Sequence, residues 1–320
     1  MKIFRDLKEY DPPTRPTVTI GTFDGVHTGH QKILDRLQTL AGKKEGETVL
    51  ITFWPHPKLI LQPKEHNLRL INTMDEKIDL LRRKGIDNLL MIPFSQSFAE
   101  QTKEQFIKDI LIENVQTHTL IAGYDHRFGK NREGSFEDLE AASHQYGFHL
   151  EEIPAHTIDD SAVSSTKIRN ALAGGDIETA NTYLGYPFFL TGTVTEGDRI
   201  GNQIGFPTAN LKISEEYKLI PSTGVYAVWV KWKGNIYEGM MNIGYRPTVE
   251  GKTLMMEVNI FDFNEDIYGE EIRVFLLERQ RPEVSFSGLD ELKEQLKVDK
   301  ENTLKFFNGS APDKARVKSL

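Results

Sequence analysis

The chain has 320 residues, of which 38% are hydrophobic and 27% are charged, so it can bury the cores of two domains and is neither fibrous nor disordered. Its 39 basic residues against 47 acidic ones give a net charge of −8, which argues against general binding to nucleic acids or to anionic membranes. The lack of cysteine excludes disulfides, zinc–thiolate sites, iron–sulfur clusters and thiol nucleophiles.

Both ends of the chain are polar. The first residues mix charges and lack the apolar segment of a signal peptide, and no stretch approaches the roughly 18 apolar residues of a membrane span. We therefore expect a cytoplasmic protein whose partners are small molecules rather than nucleic acids or membranes, with the oligomeric state left open. Residues 308–320 are expected to form a disordered tail.

Up to about residue 186, short β-branched runs alternate with longer amphipathic stretches, as in a parallel sheet covered by helices. Apolar residues at helical spacing predict helices over residues 30–41 and 74–85. The first domain, residues 1–186, is therefore predicted to be α/β. Its predicted strands are residues 17–21, 48–53, 88–93, 119–123 and 149–153.

After residue 186 the hydrophobic pattern changes to a period of two, which is typical of antiparallel strands. The strands are predicted over residues 224–232, 236–244, 253–263 and 271–281, with a tight turn between the first two. Strands at this spacing favour a small barrel or sandwich. A helix over residues 288–307 is expected to close it, with Leu289, Leu292 and Leu296 facing inward, so the second domain is residues 187–307.

The first candidate site is the glycine-rich turn that joins the first buried strand to the first long helix. Gly25 and Gly29 leave room for a phosphate, and the start of the helix offers unpaired N–H groups. His27 and His30 share one side of the helix, and Asp24 precedes them. A zinc site is disfavoured because helical zinc pairs usually have i, i+4 spacing. The alternative is a tight connection with exposed histidines.

Two more segments of the first half carry charge. Ser164, Ser165 and Thr166 are good helix N-caps, and Lys167 and Arg169 add cations to the first turn. This segment is equally well explained as a capped surface helix. The segment GYDHRFGKNREG after the fourth strand carries further charges, which in most loops are merely solvated.

The second candidate site is a glycine-rich loop in the β half. Gly197, Gly201 and Gly205 permit close approach to phosphates, although glycines alone are as well explained by a hairpin loop. Thr208 and Asn210 offer oxygen atoms of the kind that Mg²⁺ prefers.

Glu257 interrupts an apolar strand of the same half. A carboxylate buried there without a partner would be unfavourable by several kcal/mol, which favours a functional role. Alternatively, Glu257 points outward, and Met256 and Val258 then face inward. We expect Glu257 to be buried and to have a functional role.

The motifs of the first half resemble those of a known superfamily. GTFDGVHTGH resembles the HxGH signature of nucleotidyltransferases, SSTKIR resembles the second signature of their FAD synthetase branch, and GYDHRFG is similar to GxDFRFG, with His126 in place of phenylalanine. The resemblance implies a Rossmann-like domain that transfers AMP from ATP to the phosphate of FMN, giving FAD and diphosphate. An anionic phosphate nucleophile needs no general base, so alignment and charge stabilisation are sufficient.

The resemblance also implies the site residues of this reaction. His27, His30 and Arg169 are expected to act in catalysis, and Asp125 and Arg127 to contact the flavin. ATP is expected to bind to Gly21, Phe23, Asp24, Gly25, His27, Gly29, His30, Ser164, Ser165, Thr166, Lys167 and Arg169.

In the second half, the loop resembles the GxxxGRxxGFPTAN motif of riboflavin kinases. The order of the two halves is that of bacterial bifunctional riboflavin kinase/FAD synthetases, and the resemblance covers nearly the whole chain. It implies a six-stranded antiparallel barrel in which Glu257 is the general base that accepts the proton of the riboflavin hydroxyl. Asn259 replaces the histidine of the usual ExH motif.

The implied ligands of the barrel are ATP, riboflavin and Mg²⁺. Mg²⁺ is expected at Thr208 and Asn210, and the flavin at Phe206, Glu257 and Arg281. ATP is expected at Gly197, Arg199, Gly201, Gly205, Thr208 and Asn210. Two alternatives remain: an enzyme that adenylylates or cytidylylates another acceptor, such as phosphopantetheine, and a flavin-sensing protein that no longer catalyses a reaction.

Overall fold

The computed structural model describes residues 1–61, 68–123, 126–153, 163–197, 201, 205–248, 251–318 and 320. The chain forms two compact units, residues 1–68 with 74–164 and residues 69–73 with 165–320. The second unit thus takes in helices that the sequence assigns to the first domain. Asn181 links one of them to the barrel, because its side chain donates to the carbonyl of Leu276 and accepts from the N–H of Phe188.

The first unit is a six-stranded parallel sheet with helices, which confirms the predicted α/β class. Its strand order is β1-β4-β3-β2-β5-β6. The strands are β1 (Lys2–Phe4), β2 (Thr17–Ile20), β3 (Thr48–Trp54), β4 (Asn88–Pro93), β5 (Thr119–Gly123) and β6 (His149–Ile153). The first strand is an addition to the five predicted ones, and it pairs with β4 at one edge of the sheet.

Helices of this unit cover the sheet. They are α1 (Thr28–Lys43), α2 (Pro57–Leu61), α3 (Met74–Arg83), α4 (Gln96–Ala99), α5 (Lys103–Gln105) and α6 (Phe136–Tyr146), with a π-helix at Phe106–Asn114. In α1, Leu34, Leu37 and Leu40 are buried at helical spacing, as predicted. The core between the sheet and the π-helix is formed by Val18, Val49, Ile51, Leu90, Phe106, Ile110 and Leu111.

The strand order has a reversal that matters for ligand binding. Strand β2 lies between β3, which follows it in the chain, and β5, which comes three strands later. In open parallel sheets, ligands bind outside the carboxyl ends of the strands at such a reversal. The turn after β2 and the loop after β5 both begin at this edge.

The second unit contains a closed antiparallel barrel with strand order β10-β11-β8-β7-β12-β9, as the family resemblance implies. The strands are β7 (Phe189–Thr195), β8 (Ala209–Lys212), β9 (Gly224–Trp232), β10 (Asn235–Thr248), β11 (Gly251–Ile260) and β12 (Glu271–Arg281). Lys233 and Gly234 form the tight β9–β10 turn, both with positive φ. Two helices, α7 (Ser165–Gly174) and α8 (Ile177–Leu184), precede the barrel.

The terminal helix α9 (Leu289–Gly309) packs on the outside of the barrel. Leu292 and Leu296 lie against Phe206, Met240 and Phe261, as predicted. Leu289 does not follow the prediction that it faces inward, since 52% of it is exposed. It stands at the first turn of the helix, where the barrel no longer covers it.

The predicted disordered tail is also wrong. A short helix, α10 (Ala315–Lys318), buries Val317 completely, and Lys314 forms an ion pair with Glu238 at 2.7 Å. Arg273 donates to the carbonyl of Leu320 at 2.8 Å. One apolar side chain and a few backbone acceptors thus dock a polar segment.

In the part of the chain that the structure describes, no helix is long and apolar enough to cross a membrane.

Candidate functional site

The first site is built on the turn between β2 and α1. His27 is the N-cap of α1, and its Nδ1 accepts from the N–H of His30 at 3.4 Å. Phe23, Gly25 and Val26 have φ angles of 47°, 90° and 38°. For phenylalanine and valine this left-handed conformation is unfavourable by about 1–3 kcal/mol each and persists only where the surroundings impose it. Such strain is typical of functional turns.

The two histidine rings are stacked in parallel. Their centroids are 3.6 Å apart, and the ring of Phe23 lies 4.8 Å from that of His30. Burial lowers the pKa of His27 to about 4. Burial, followed by the nearby charges of His27 and Lys77, lowers the pKa of His30 well below 6.5. Both imidazoles are therefore neutral at pH 7 and can each donate one hydrogen bond.

Two further features of this turn favour a ligand. Nδ1 of His30 is buried and has no hydrogen-bond partner among the residues that the structure describes. Asp24 of the same turn is only 1% exposed, and Gly29 is buried in the first turn of α1. Gly21 leads into the turn, where its N–H donates to the carbonyl of Ile51. The predicted group at residues 21–30 is thus brought together.

The other residues predicted to bind ATP lie at the start of helix α7 or immediately before it. Ser165, Thr166, Lys167 and Arg169 begin α7, which belongs to the second unit, and Ser164 precedes it. Lys167 is exposed, and Nη2 of Arg169 lies 3.4 Å from the hydroxyl of Thr166. Their participation in one site with the turn remains a prediction.

The loop after β5 is described only in part. Arg127 is exposed, and the ring of His126 stacks on that of Phe128 with the centroids 6.0 Å apart. Asp125 lies outside the described residues. Its predicted contact with the flavin is therefore not tested.

The second site lies on the outer face of the barrel. Glu257 of β11 is directly opposite Asn210 of β8 and Asn242 of β10. Residues opposite each other in an antiparallel pair share a face, with their Cβ atoms about 5 Å apart. A carboxylate therefore stands between two amides. Asn242 carries no signal in the sequence, because only the strand register puts it beside Glu257.

The predicted orientation of Glu257 is wrong. Met256 is 9% exposed and Val258 is fully buried, whereas Glu257 is partly exposed. The alternation of the strand thus turns Met256 and Val258 away from Glu257 and into the core, the arrangement that we considered and did not expect. A carboxylate on this face remains accessible to a substrate.

Two cavities meet at Glu257. One has a volume of about 490 Å³ and extends to Tyr245, Met255 and Leu289. The other, of about 250 Å³, extends to Gly201, Phe206 and Thr208. The lining residues common to both cavities are Asn242, Arg246, Glu257, Glu283, Phe286 and Leu292. The carboxylate is therefore placed between two compartments, each able to take part of a substrate pair.

The glycine-rich loop borders the smaller cavity. The N–H of Phe206 donates to the carbonyl of Gly201 at 2.8 Å, and Nδ2 of Asn259 donates to the carbonyl of Pro207 at 2.6 Å. A Cβ on Gly197 would collide with the side chain of Asn210, so this position needs glycine. Gly205 is exposed, and Arg199 lies outside the described residues.

Asn210 and Thr208 are suited to a magnesium ion. Within the described part of the chain, the buried Oδ1 of Asn210 has no hydrogen-bond partner, although a buried amide oxygen normally has one. Thr208 lines the adjacent cavity and offers a hydroxyl oxygen. Neutral oxygen atoms of this kind are ones that Mg²⁺ accepts beside its retained waters.

Arg281 lines the same cavity, but its guanidinium group is already engaged. Nε and Nη2 donate to the two carboxylate oxygens of Asp299 in α9 at 2.8 and 2.7 Å. Asp299 is 2% exposed and also accepts from Gln295 at 2.9 Å. This ion pair joins the end of β12 to the terminal helix.

Comparisons with known proteins identify the family of each half of the chain. The family model of FAD synthetase matches residues 11–167, and that of riboflavin kinase matches residues 184–307. The bifunctional riboflavin kinase/FMN adenylyltransferase of Listeria monocytogenes is 37% identical over 91% of this chain and 92% of its own length. The chain belongs to the bifunctional riboflavin kinase/FMN adenylyltransferase family.

Other members of this family align over similar lengths. The relative from Escherichia coli K12 is 36% identical over 98% of this chain and the whole of its own, and that from Bacillus subtilis is 36% identical over 92% and 93%. A crystal structure from Streptococcus pneumoniae, described as a macrolide-efflux protein, superimposes with a TM-score of 0.85 at 33% identity and covers 94% of this chain. The whole fold of the chain is thus shared.

Proposed function

We propose that the barrel of this chain phosphorylates riboflavin to FMN with Glu257 as the general base, and that the turn at residues 21–30 serves the transfer of AMP from ATP to FMN. Family membership makes the chain a riboflavin kinase and FMN adenylyltransferase. The observation that best supports the kinase assignment is the position of Glu257, opposite Asn210 and at the junction of the two cavities.

In the kinase reaction, Glu257 accepts the proton of the ribityl hydroxyl as its oxygen attacks the γ-phosphorus of ATP, and ADP leaves. A neutral alcohol is a poor nucleophile, so a positioned base contributes roughly 10²–10⁴-fold to the rate. The larger cavity, with Tyr245, Met255 and Phe286, offers an apolar surface for the flavin ring. The smaller cavity, next to the glycine-rich loop, is the place for the phosphates.

Magnesium is the metal that suits this site, and Asn210 Oδ1 and the Thr208 hydroxyl are its protein ligands. When bound, it neutralises charge on the β- and γ-phosphates. Asn259 keeps the loop in place by its hydrogen bond to the Pro207 carbonyl. Gly197 leaves space for Asn210, and Arg199 adds a positive charge.

In the adenylyl transfer, a phosphate oxygen of FMN attacks the α-phosphorus of ATP and diphosphate leaves. His27 and His30, neutral in the free enzyme, donate hydrogen bonds to the triphosphate, and Asp24 orients the ligands. Lys167 and Arg169 stabilise the diphosphate. The reaction needs no proton acceptor, which agrees with a turn that offers hydrogen-bond donors and a helix N-terminus.

The decisive experiment is to incubate the full chain with riboflavin, ATP and Mg²⁺ and to resolve riboflavin, FMN and FAD by chromatography over time. We expect FMN first and FAD afterwards. FMN alone would refute the adenylyl transfer, and a chain that binds flavin without forming any product would be a flavin sensor. Substitution E257Q should abolish FMN formation and leave the conversion of FMN to FAD, and H30A should do the reverse.

A further inference from the structure

Lys77 is a buried lysine that neither reaction has used so far. It is the fourth residue of α3 and only 2% exposed. Its Nζ donates to the carbonyl oxygen of Thr22 at 2.7 Å. Thr22 immediately precedes the strained part of the 21–30 turn, so this ammonium group contacts the backbone of the first site.

The charge of Lys77 is retained despite its burial. Burial lowers the pKa of Lys77 to about 8, and the attraction of Asp24 limits the decrease. The ammonium form therefore predominates at pH 7. A buried cation is normally unfavourable unless it is paired, and here Asp24, itself 1% exposed, provides the opposite charge. The negative charge of Asp24 thus offsets part of the unfavourable burial of Lys77.

Two side chains hold the ends of the strained turn. Lys77 binds the carbonyl of Thr22, and Nε2 of Gln31 donates to the carbonyl of Val26 at 2.9 Å. Between these carbonyls lie Phe23 and Gly25 with positive φ. A left-handed run in non-glycine residues needs such external contacts to persist. The hydroxyl of Thr52 also donates to the Thr22 carbonyl, at 3.4 Å, so Lys77 makes the shorter of two hydrogen bonds to this oxygen.

The positive charge of Lys77 also acts on His30. It is one of the causes that lower the pKa of His30, so it helps to keep that ring neutral. A neutral ring near a buried ammonium group is suited to bind a polyphosphate, because the cation attracts the anion and the ring donates a hydrogen bond. A fixed charge also requires no rearrangement when negative charge develops on the leaving diphosphate.

We propose that Lys77 is a positioning residue for adenylyl transfer, an inference that rests on the proposed site at residues 21–30. Its ammonium group holds the Thr22 carbonyl and so shapes the turn, and its positive charge supplements the neutral pair His27 and His30. It acts through the turn and does not touch the reacting atoms.

The test compares K77M, K77Q and K77R with the unchanged full chain. K77M removes both the hydrogen bond and the charge, K77Q keeps a donor without the charge, and K77R keeps the charge. K43M, which removes an exposed lysine at the far end of α1, is the matched control. The rates of FMN adenylylation and of riboflavin phosphorylation are measured in the same preparation.

We expect K77M to lower kcat for FMN adenylylation by about 10–100-fold, as for a misplaced catalytic group, while riboflavin phosphorylation stays within about twofold. K77R should keep at least about tenfold more of the adenylylation rate than K77Q, because it retains the charge. K43M should behave like the unchanged chain. Adenylylation by K77M within about twofold of that chain, or equal rates for K77R and K77Q, would overturn the proposal.

A spectroscopic measurement separates this role from simple stabilisation. NMR titration of His30 should give a higher pKa in K77Q than in K77R, since only the latter keeps a cation nearby. An unchanged pKa of His30 in K77Q would overturn the electrostatic part. If the unchanged chain itself forms no FAD, the proposed function fails; if it forms FAD and K77M matches it, only the role of Lys77 fails.

Discussion

The ion pair between Arg281 and Asp299 should be a main contributor to the stability of the barrel unit. The side chain of Asp299 is 2% exposed and that of Arg281 is 19% exposed, and two charge-assisted hydrogen bonds join them. Removing one partner of a buried pair typically lowers the free energy of unfolding by about 3–5 kcal/mol. Because Arg281 is partly solvated and asparagine can still accept one hydrogen bond, we expect about 3 kcal/mol for D299N.

This loss is measurable by thermal unfolding of the full chain. For a unit of this size, 1 kcal/mol shifts Tm by about 2–4 °C, so D299N should lower the Tm of the barrel by about 6–12 °C. The matched control is E301Q, which neutralises an exposed carboxylate of the same helix. It should leave Tm within about 2 °C, since surface charges contribute little. A Tm of D299N equal to that of E301Q would refute the reasoning.

A double substitution then separates the structural role of Arg281 from its predicted contact with the flavin. In R281M/D299L, two apolar side chains replace the pair, and such replacements are often neutral or stabilising. We expect the Tm of R281M/D299L to return to that of the unchanged chain. Its KM for riboflavin should still be higher than that of the unchanged chain, because Arg281 lines the smaller cavity. If KM recovers together with Tm, Arg281 only anchors α9 and the predicted flavin contact is wrong.

Five further outcomes follow from the two sites. E257Q should lower kcat for riboflavin phosphorylation by about 10²–10⁴-fold, measured by FMN formation, with FMN adenylylation unchanged. H30A should lower FMN adenylylation, assayed from FMN and ATP, and spare phosphorylation. N259A removes the hydrogen bond to the Pro207 carbonyl, worth about 1 kcal/mol, and should lower kcat/KM for ATP in the kinase reaction about fivefold. Chelation of Mg²⁺ by EDTA should stop FMN formation, and added Mg²⁺ should restore it; FMN formation in EDTA would contradict the metal assignment. The folded pKa of His27, about 4, lies below the unfolded 6.5, so the unfolded chain binds more protons between these values. The free energy of unfolding of the first unit should therefore fall by up to about 3 kcal/mol as pH is lowered through this window, and denaturant unfolding of H27Q should show a weaker dependence.

Most regular elements could be predicted from the sequence because each has a local signature. The buried parallel strands are short apolar runs, and α1 has leucines at helical spacing. Elements without such a signature were missed. β1 has three residues and gains its order only by pairing with β4, and α10 is fixed by the burial of the single residue Val317. These contacts are distant in sequence, so no local pattern reveals them.

The residues of the candidate sites likewise differ in whether a local sequence pattern reveals them. The turn at residues 21–30 is contiguous, and its histidines and glycines are visible as a motif. Asn242 and Lys77 each look like ordinary polar residues of a strand and of an amphipathic helix. The strand register places Asn242 opposite Glu257, and the packing of α3 places Lys77 at the Thr22 carbonyl. Residues that act from another element become visible only when the elements are assembled.

The two sites also differ in a way that the chemistry requires. The nucleophile of adenylyl transfer is a phosphate that is already anionic, so a carboxylate base would repel it and a proton acceptor is unnecessary. The turn accordingly combines neutral imidazoles with the paired charge of Lys77 and Asp24. The nucleophile of the kinase is a neutral hydroxyl, and there the chain places the carboxylate of Glu257 between the neutral amides of Asn210 and Asn242. In the proposed mechanism, this carboxylate accepts the proton of the substrate hydroxyl. Exchanging the two environments would disable both reactions, which is why one chain needs two sites to make FAD from riboflavin.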